Sequence, residues 1–222
     1  MEFINLNPDT VLNEAIKAAE SDIKLVALGS QRERYWLEER LESTDKSVEE
    51  IITASESINA TDWLDSNKKE KESDWEMDEM DPSEVVGEWL GESDDKQGFA
   101  LTTVKLTRET FNNFVGVKLH VEESWKIPAY FNYSAGDFCP SPEVHCAIWK
   151  YWEEQFGAKI IGVTSDSIEG YVANPPKSKE EAINLAWQQY LYCSDIVDQG
   201  TETISNLASS IINHEYWYFW WD

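Results

Sequence analysis

Apolar residues in this chain recur with two periods, and each change of period marks an element. Asp9 or Thr10 suits a helix N-cap, and the following Val11, Leu12, Ala15, Ile16 and Ala19 repeat at helical spacing. IKLVAL (23–28) is a short run rich in β-forming residues and predicts a strand. Residues 31–43 and 47–57 predict two more helices, with Tyr35, Trp36, Ile51 and Ile52 as buried candidates. Further on, FALTTVKL (99–106), FVGVKLH (114–120) and IPAYFNY (127–133) combine β-branched and aromatic residues and predict strands.

The clearest helix opens at Ser141-Pro142, since proline favours the first helical position. Val144, Ala147, Ile148, Tyr151, Trp152 and Phe156 then form one apolar stripe, and Gly157 suits the C-terminal cap. KIIGVTS (159–165) and IEGYVAN (168–174) predict a strand pair around Asp166-Ser167, stopped by Pro175 and Pro176. Ser178 with Glu181 makes a capping box for a helix burying Ala182, Ile183, Ala186, Trp187 and Tyr190. After Gly200-Thr201 comes a helix with Ile204, Leu207, Ala208, Ile211 and Ile212 on one face. The terminal WYFWWD (217–222) reads as a strand with aromatic side chains on both faces. That demands either a central strand with layers on both sides, or a binding surface on one of them.

Composition sharpens this picture. Of 222 residues, 41% are hydrophobic and 11 are Trp, enough to fill a core. The formal net charge of −25 excludes nucleic-acid binding through phosphates and disfavours an anionic membrane surface. The opening MEFINLNPDT lacks the features of a secretory leader, and Tyr216 to Trp221 is too short to span a bilayer. Three cysteines, Cys139, Cys146 and Cys193, predict free thiols in a reducing cytoplasm.

Charge is uneven, with 27 acids against 10 bases in residues 1–100. Three parts are expected: a mainly helical 1–57, an acidic Trp-containing insertion or linker over 58–97, and an α+β domain over 98–222 with a mixed or antiparallel sheet and packed helices.

Four groups of residues are candidates for chemistry or recognition. Cys139, His145, Cys146 and Cys193 offer ligand and nucleophile types, but with no CxxC spacing they read first as small buried groups. Asp195 and Asp198, beside Gln199, suit either a turn or a cation. The WYFWWD end reads as core packing or as a recognition strand. The insertion sets Trp63, Trp75 and Trp89 among carboxylates, including Asp74, Glu76, Asp78 and Glu79. Such acid-plus-aromatic composition suits gripping a basic surface, and a solvated charged segment is the plainer reading.

WKIPAYFNY, Cys139-Pro140, EVHCAIWKYWEEQFGAKIIGVT, VANPP, the EEAINLAWQQYLYCSDIVDQGTETI segment and the terminal WYFWWD together resemble the bacterial family called domain of unknown function 4253, over about 125–222. The resemblance implies a cytosolic α+β protein of bacterial or phage origin and brings no catalytic residues with it.

The charge and the acid-plus-aromatic segment make the expected function that of an acidic cytoplasmic binding protein. With the accessory or immunity-type role that the resemblance implies, it is expected to be an inhibitor that occludes the active surface of a basic toxin or nuclease, without metal or cofactor. Its partner-binding residues would be Trp63, Asp74, Trp75, Glu76, Asp78, Glu79, Trp89, Asp195 and Asp198. The alternative is an enzyme using Cys139 and His145 with Asp195 or Asp198.

Overall fold

The computed structural model describes residues 1–94, 103–104, 109–110, 114–136 and 138–222. It is an α+β fold around a mixed six-stranded sheet of order β1-β5-β2-β6-β7-β8. The strands are β1 (Glu2–Leu6), β2 (Ile23–Gly29), β5 (Phe114–His120), β6 (Ala158–Val163), β7 (Ser167–Val172) and β8 (Tyr216–Trp220). A separate short pair joins β3 (Thr103–Val104) to β4 (Glu109–Thr110). Most of the 99–106 strand expectation lies outside the described residues.

Two antiparallel halves make the main sheet. β1 and β2 flank β5, and β7 lies between β6 and β8. They meet at a single parallel pair, Ala27 with Gly162. Strands β1 and β2 of the first 57 residues therefore share one sheet with the C-terminal strands.

Helix α1 (Val11–Ala19) covers one face, where Val11, Ala15 and Ala19 meet Ala27, Phe114 and Ile161. The larger core is centred on α7 (Pro142–Phe156), which is buried well beyond the expected stripe because His145, Cys146 and Trp149 also face inward. Gly157 takes the left-handed conformation that ends α7, as its position predicted. Gly170 on β7 has no room for a side chain, since a Cβ there would lie 2.6 Å from the Trp149 ring. Helices α2 (Gln31–Glu42), α3 (Val48–Glu56), α8 (Lys179–Tyr192) and α9 (Ile204–Ile211) form as their periodicity indicates. Capping boxes are present at Ser47/Glu50 and Ser178/Glu181.

Four expectations are corrected. IPAYFNY is not a strand: a 3-10 turn at Ser124–Lys126 leads into helix α6 (Ile127–Phe131). Pro128 fits the first helical turn, which puts Ile127 and Phe131 one turn apart on the buried side, and left-handed Asn132 ends the helix. Tyr35 is 68% exposed, while Ile51 is buried. β8 is an edge strand rather than a central one. Trp217, Phe219 and Trp221 are buried on its inner face, whereas Tyr218 and Trp220 on the other face are only half-buried.

The fourth concerns the acidic insertion. Its described residues include α4 (Ala60–Met77), capped by Asn59, and α5 (Pro82–Val86), capped by Asp81. α4 packs on the core through Leu64 and Trp75. Residues 87–93 then run along α9: Ser205 donates to the Gly87 carbonyl at 3.1 Å, and Ser93 N–H donates to Ser209 O at 2.9 Å. Among the described residues, no helix is long and apolar enough to cross a membrane.

Candidate functional site

α4 carries Asn67, Glu70, Lys71 and Asp74 on one face at helical spacing. That face lies opposite the end of α8 and the turn after it, and between them is an open cleft of about 480 Å³. Tyr190, Tyr192, Ser194, Asp195, Asp198 and Gln199 form the facing wall, and Phe138 stands nearby. Four carboxylates thus share one cleft: Glu70, Asp74, Asp195 and Asp198. Among the described lining residues Lys71 is the only cation, and its Nζ sits 5.3 Å from the centre of the Tyr190 ring.

The facing wall is locally unusual. Ile196–Thr201, the IVDQGT of the sequence, is a π-helical turn followed by Glu202 at a φ of +67°. Asp195 is held in place by two bonds, accepting from Gln199 Nε2 at 3.2 Å and from the Asp222 backbone N–H at 3.0 Å. Asp198 is freer. Its carboxyl is pushed above the ordinary range, first by partial desolvation and then by the charge of Asp195, against the opposing pull of Lys71 and the Tyr190 hydroxyl. Phe138, at the cleft, is 95% exposed and has a φ of +64°.

The predicted partner-binding residues divide by this geometry. Asp74, Asp195 and Asp198 come together in the cleft, while Glu76, Asp78 and Glu79 are exposed but do not line it. The tryptophans are not free anchors. Trp75 is 6% exposed, stacks on Tyr190 at 6.4 Å between ring centres and leans on Trp187 at 6.1 Å. Trp63 and Trp89 are half-buried against the core, and Lys179 Nζ lies 5.6 Å from the Trp89 ring centre. Their large apolar area is satisfied within the fold. Glu70 and Phe138 belong to the site without having been singled out in the sequence. Glu70 is recognisable only once α4 is drawn as a helix, where it lies one turn before Asp74.

A second cluster lies inside the core. Cys139 Sγ is 3.3 Å from His145 Nε2, and His145 Nδ1 is 2.5 Å from the Tyr192 hydroxyl, which accepts from Trp149 Nε1 at 3.0 Å. Burial pushes the Cys139 thiol up to about 12 and His145 down to about 3, so both are neutral near pH 7, whereas a thiol nucleophile works as the thiolate. The orienting partner of His145 is Tyr192, in place of the Asp195 or Asp198 of the enzyme alternative. Cys146 and Cys193 are buried, and Cys193 donates to Trp220 O at 2.9 Å. No group of three or more His, Cys, Asp or Glu suited to a metal ion occurs among the described residues.

His145 makes the stability of the fold pH-dependent. The unfolded chain takes up its proton near 6.5 and the folded chain only near 3. Protons thus favour unfolding, and stability present above about pH 6.5 is lost as the pH falls towards 3. At about pH 4.5 this residue alone should cost roughly 3 kcal/mol. Urea unfolding of the wild type and His145→Gln at neutral and acid pH checks this: the variant should show a flatter dependence. Equal slopes would remove His145 as the cause.

The fold and cleft define an acidic α+β protein whose site draws on both halves of the chain. Residues 117–222 match the family model described as Domain of unknown function (DUF4253), the family that the motifs resemble. The match begins within β5 and takes in Cys139, His145, Tyr192, Asp195 and Asp198, whereas α4 lies outside it. No curated protein and no solved structure matches the chain.

Proposed function

We propose that this is a cytoplasmic binding protein whose acidic cleft receives Lys or Arg side chains from a basic protein, in the manner of an immunity-type inhibitor that covers a toxin or nuclease. The convergence of Glu70, Asp74, Asp195 and Asp198 on one cleft carries the proposal. Four carboxylates facing one lysine repel one another, and an arriving cation relieves that repulsion. Arginine pairs with carboxylates in bidentate fashion. The net charge of −25 adds long-range steering toward a positive partner surface, such as a phosphate-binding active site.

The test is association kinetics with the basic partner recovered from the native cell. The variant Glu70→Gln/Asp74→Asn/Asp198→Asn spares Asp195, which holds the chain end. It should keep its melting temperature, associate about tenfold more slowly at low salt, and show a shallower salt dependence. Neutralising Glu76, Asp78 and Glu79, which lie outside the cleft, should have a smaller effect. Wild-type rates and salt dependence in the cleft variant would place the interface elsewhere.

The contact between Cys139 and His145 favours a second reading, an enzyme with a thiol nucleophile. Its residues stand in the wrong protonation states for that work. A Cys139→Ser variant that stays folded and loses all biological activity would bring that reading forward.

A further inference from the structure

Two buried donors at the junction of α8, α9 and β8 have no partner among the described residues: Gln189 Nε2 and Trp217 Nε1. Gln189 is 1% exposed and Trp217 is 2% exposed. Orphaned donors at such depth are costly and rare in native interiors. These two are not scattered, because both residues line the same small cavity, whose apolar walls include Leu207 and Ile211.

The cavity measures about 10 Å³, which is close to the minimum for one water. A water needs two to four polar partners to stay in such a place. Gln189 and Trp217 supply two donors. Ser210 also lines the cavity, and its hydroxyl proton is committed to the Leu207 carbonyl at 2.7 Å, which leaves its oxygen able to accept. An anion fits poorly by comparison, because the chain carries a net charge of −25 and the two orphaned donors are neutral, although His214 also lines the cavity.

We propose that this cavity is a binding site for a single ordered water, which accepts from Gln189 Nε2–H and Trp217 Nε1–H and donates to Ser210 Oγ. The water ties α8 to β8 at a point where the edge strand has sheet pairing on one side only. This site is independent of the acidic cleft and of its proposed role.

The test is water–protein NMR on the full chain with ¹⁵N-labelled tryptophan. The Trp217 indole resonance is assigned by its loss in Trp217→Phe. Trp217 Nε1–H should show a cross-peak to water with the sign of a long-lived bound molecule. Gln189→Met, which keeps the volume and removes the donor, should abolish that cross-peak or weaken it severalfold while leaving the other indole resonances in place. If Gln189→Met does not fold, a crystal structure of the wild type decides, with a single water peak expected within hydrogen-bond distance of both nitrogens. An indole proton with no long-lived water contact, a cross-peak unchanged in a folded Gln189→Met, or another protein atom or an anion at that position would overturn the assignment.

Discussion

Removing Trp217–Asp222 should leave no folded protein. Trp217, Phe219 and Trp221 are buried and are wound into the aromatic core from one end to the other. Trp217 meets Trp152 and Phe156, each at 5.6 Å between ring centres. Phe219 stacks on Trp152 at 5.4 Å and meets Tyr192 at 5.1 Å. Trp221 meets His145 at 5.3 Å and Tyr133 at 5.8 Å. Truncating one such side chain to Ala costs roughly 3–5 kcal/mol. Losing three together approaches or exceeds the whole stability of an ordinary domain, about 5–15 kcal/mol. The deletion also strips β7 of its outer partner and releases Cys193 and Asp195 from the chain end. Circular dichroism and thermal melting of the truncated chain measure this. A soluble product that melts cooperatively near the full-length temperature and loses only partner binding would make the aromatic end a recognition strand.

The second large effect is expected at Trp75. Its substitution by Ala should cost about 3–5 kcal/mol, because the ring fills the seam between α4 and α8. Its neighbour Glu76 is exposed, and Glu76→Gln should stay within about 0.5 kcal/mol of wild type. Urea midpoints of the two variants make the comparison. A Trp75→Ala chain as stable as wild type that fails to bind the basic partner would return Trp75 to the role of an interface anchor.

These two residues show how composition divides from placement. Acid and tryptophan interleaved along 58–97 are what a binding segment looks like, and they are also what one face of a docked helix looks like. Along α4, Leu64 and Trp75 turn inward while Glu70 and Asp74 face the cleft. The low apolar content hides this: three buried residues suffice to hold 18 helical ones, because α8 offers Trp187 and Tyr190 in return. The same tertiary override turned IPAYFNY into a helix, where β-forming side chains were outweighed by Pro128 and by burial against α7. MEFINL, assigned no element from its pattern, became an edge strand through pairing with β5, more than 100 residues away.

What the amino-acid sequence determined by itself was local or additive. Periodicity set α1, α7, α8 and α9, while the capping box at Ser178 and glycine at 157 marked ends whose hydrogen bonds close within a few residues. Charge, a plain sum, set the acidic character of the chain. The tertiary structure alone decided which distant residues meet. It brought Asp74 of α4 to Asp195 and Asp198 after α8, and Cys139 to His145 with Tyr192 behind it. It also put β8 at the sheet edge. The physical reason is that such contacts depend on how helices and strands pack, and packing is selected by the burial of the whole core rather than by any one segment's preference.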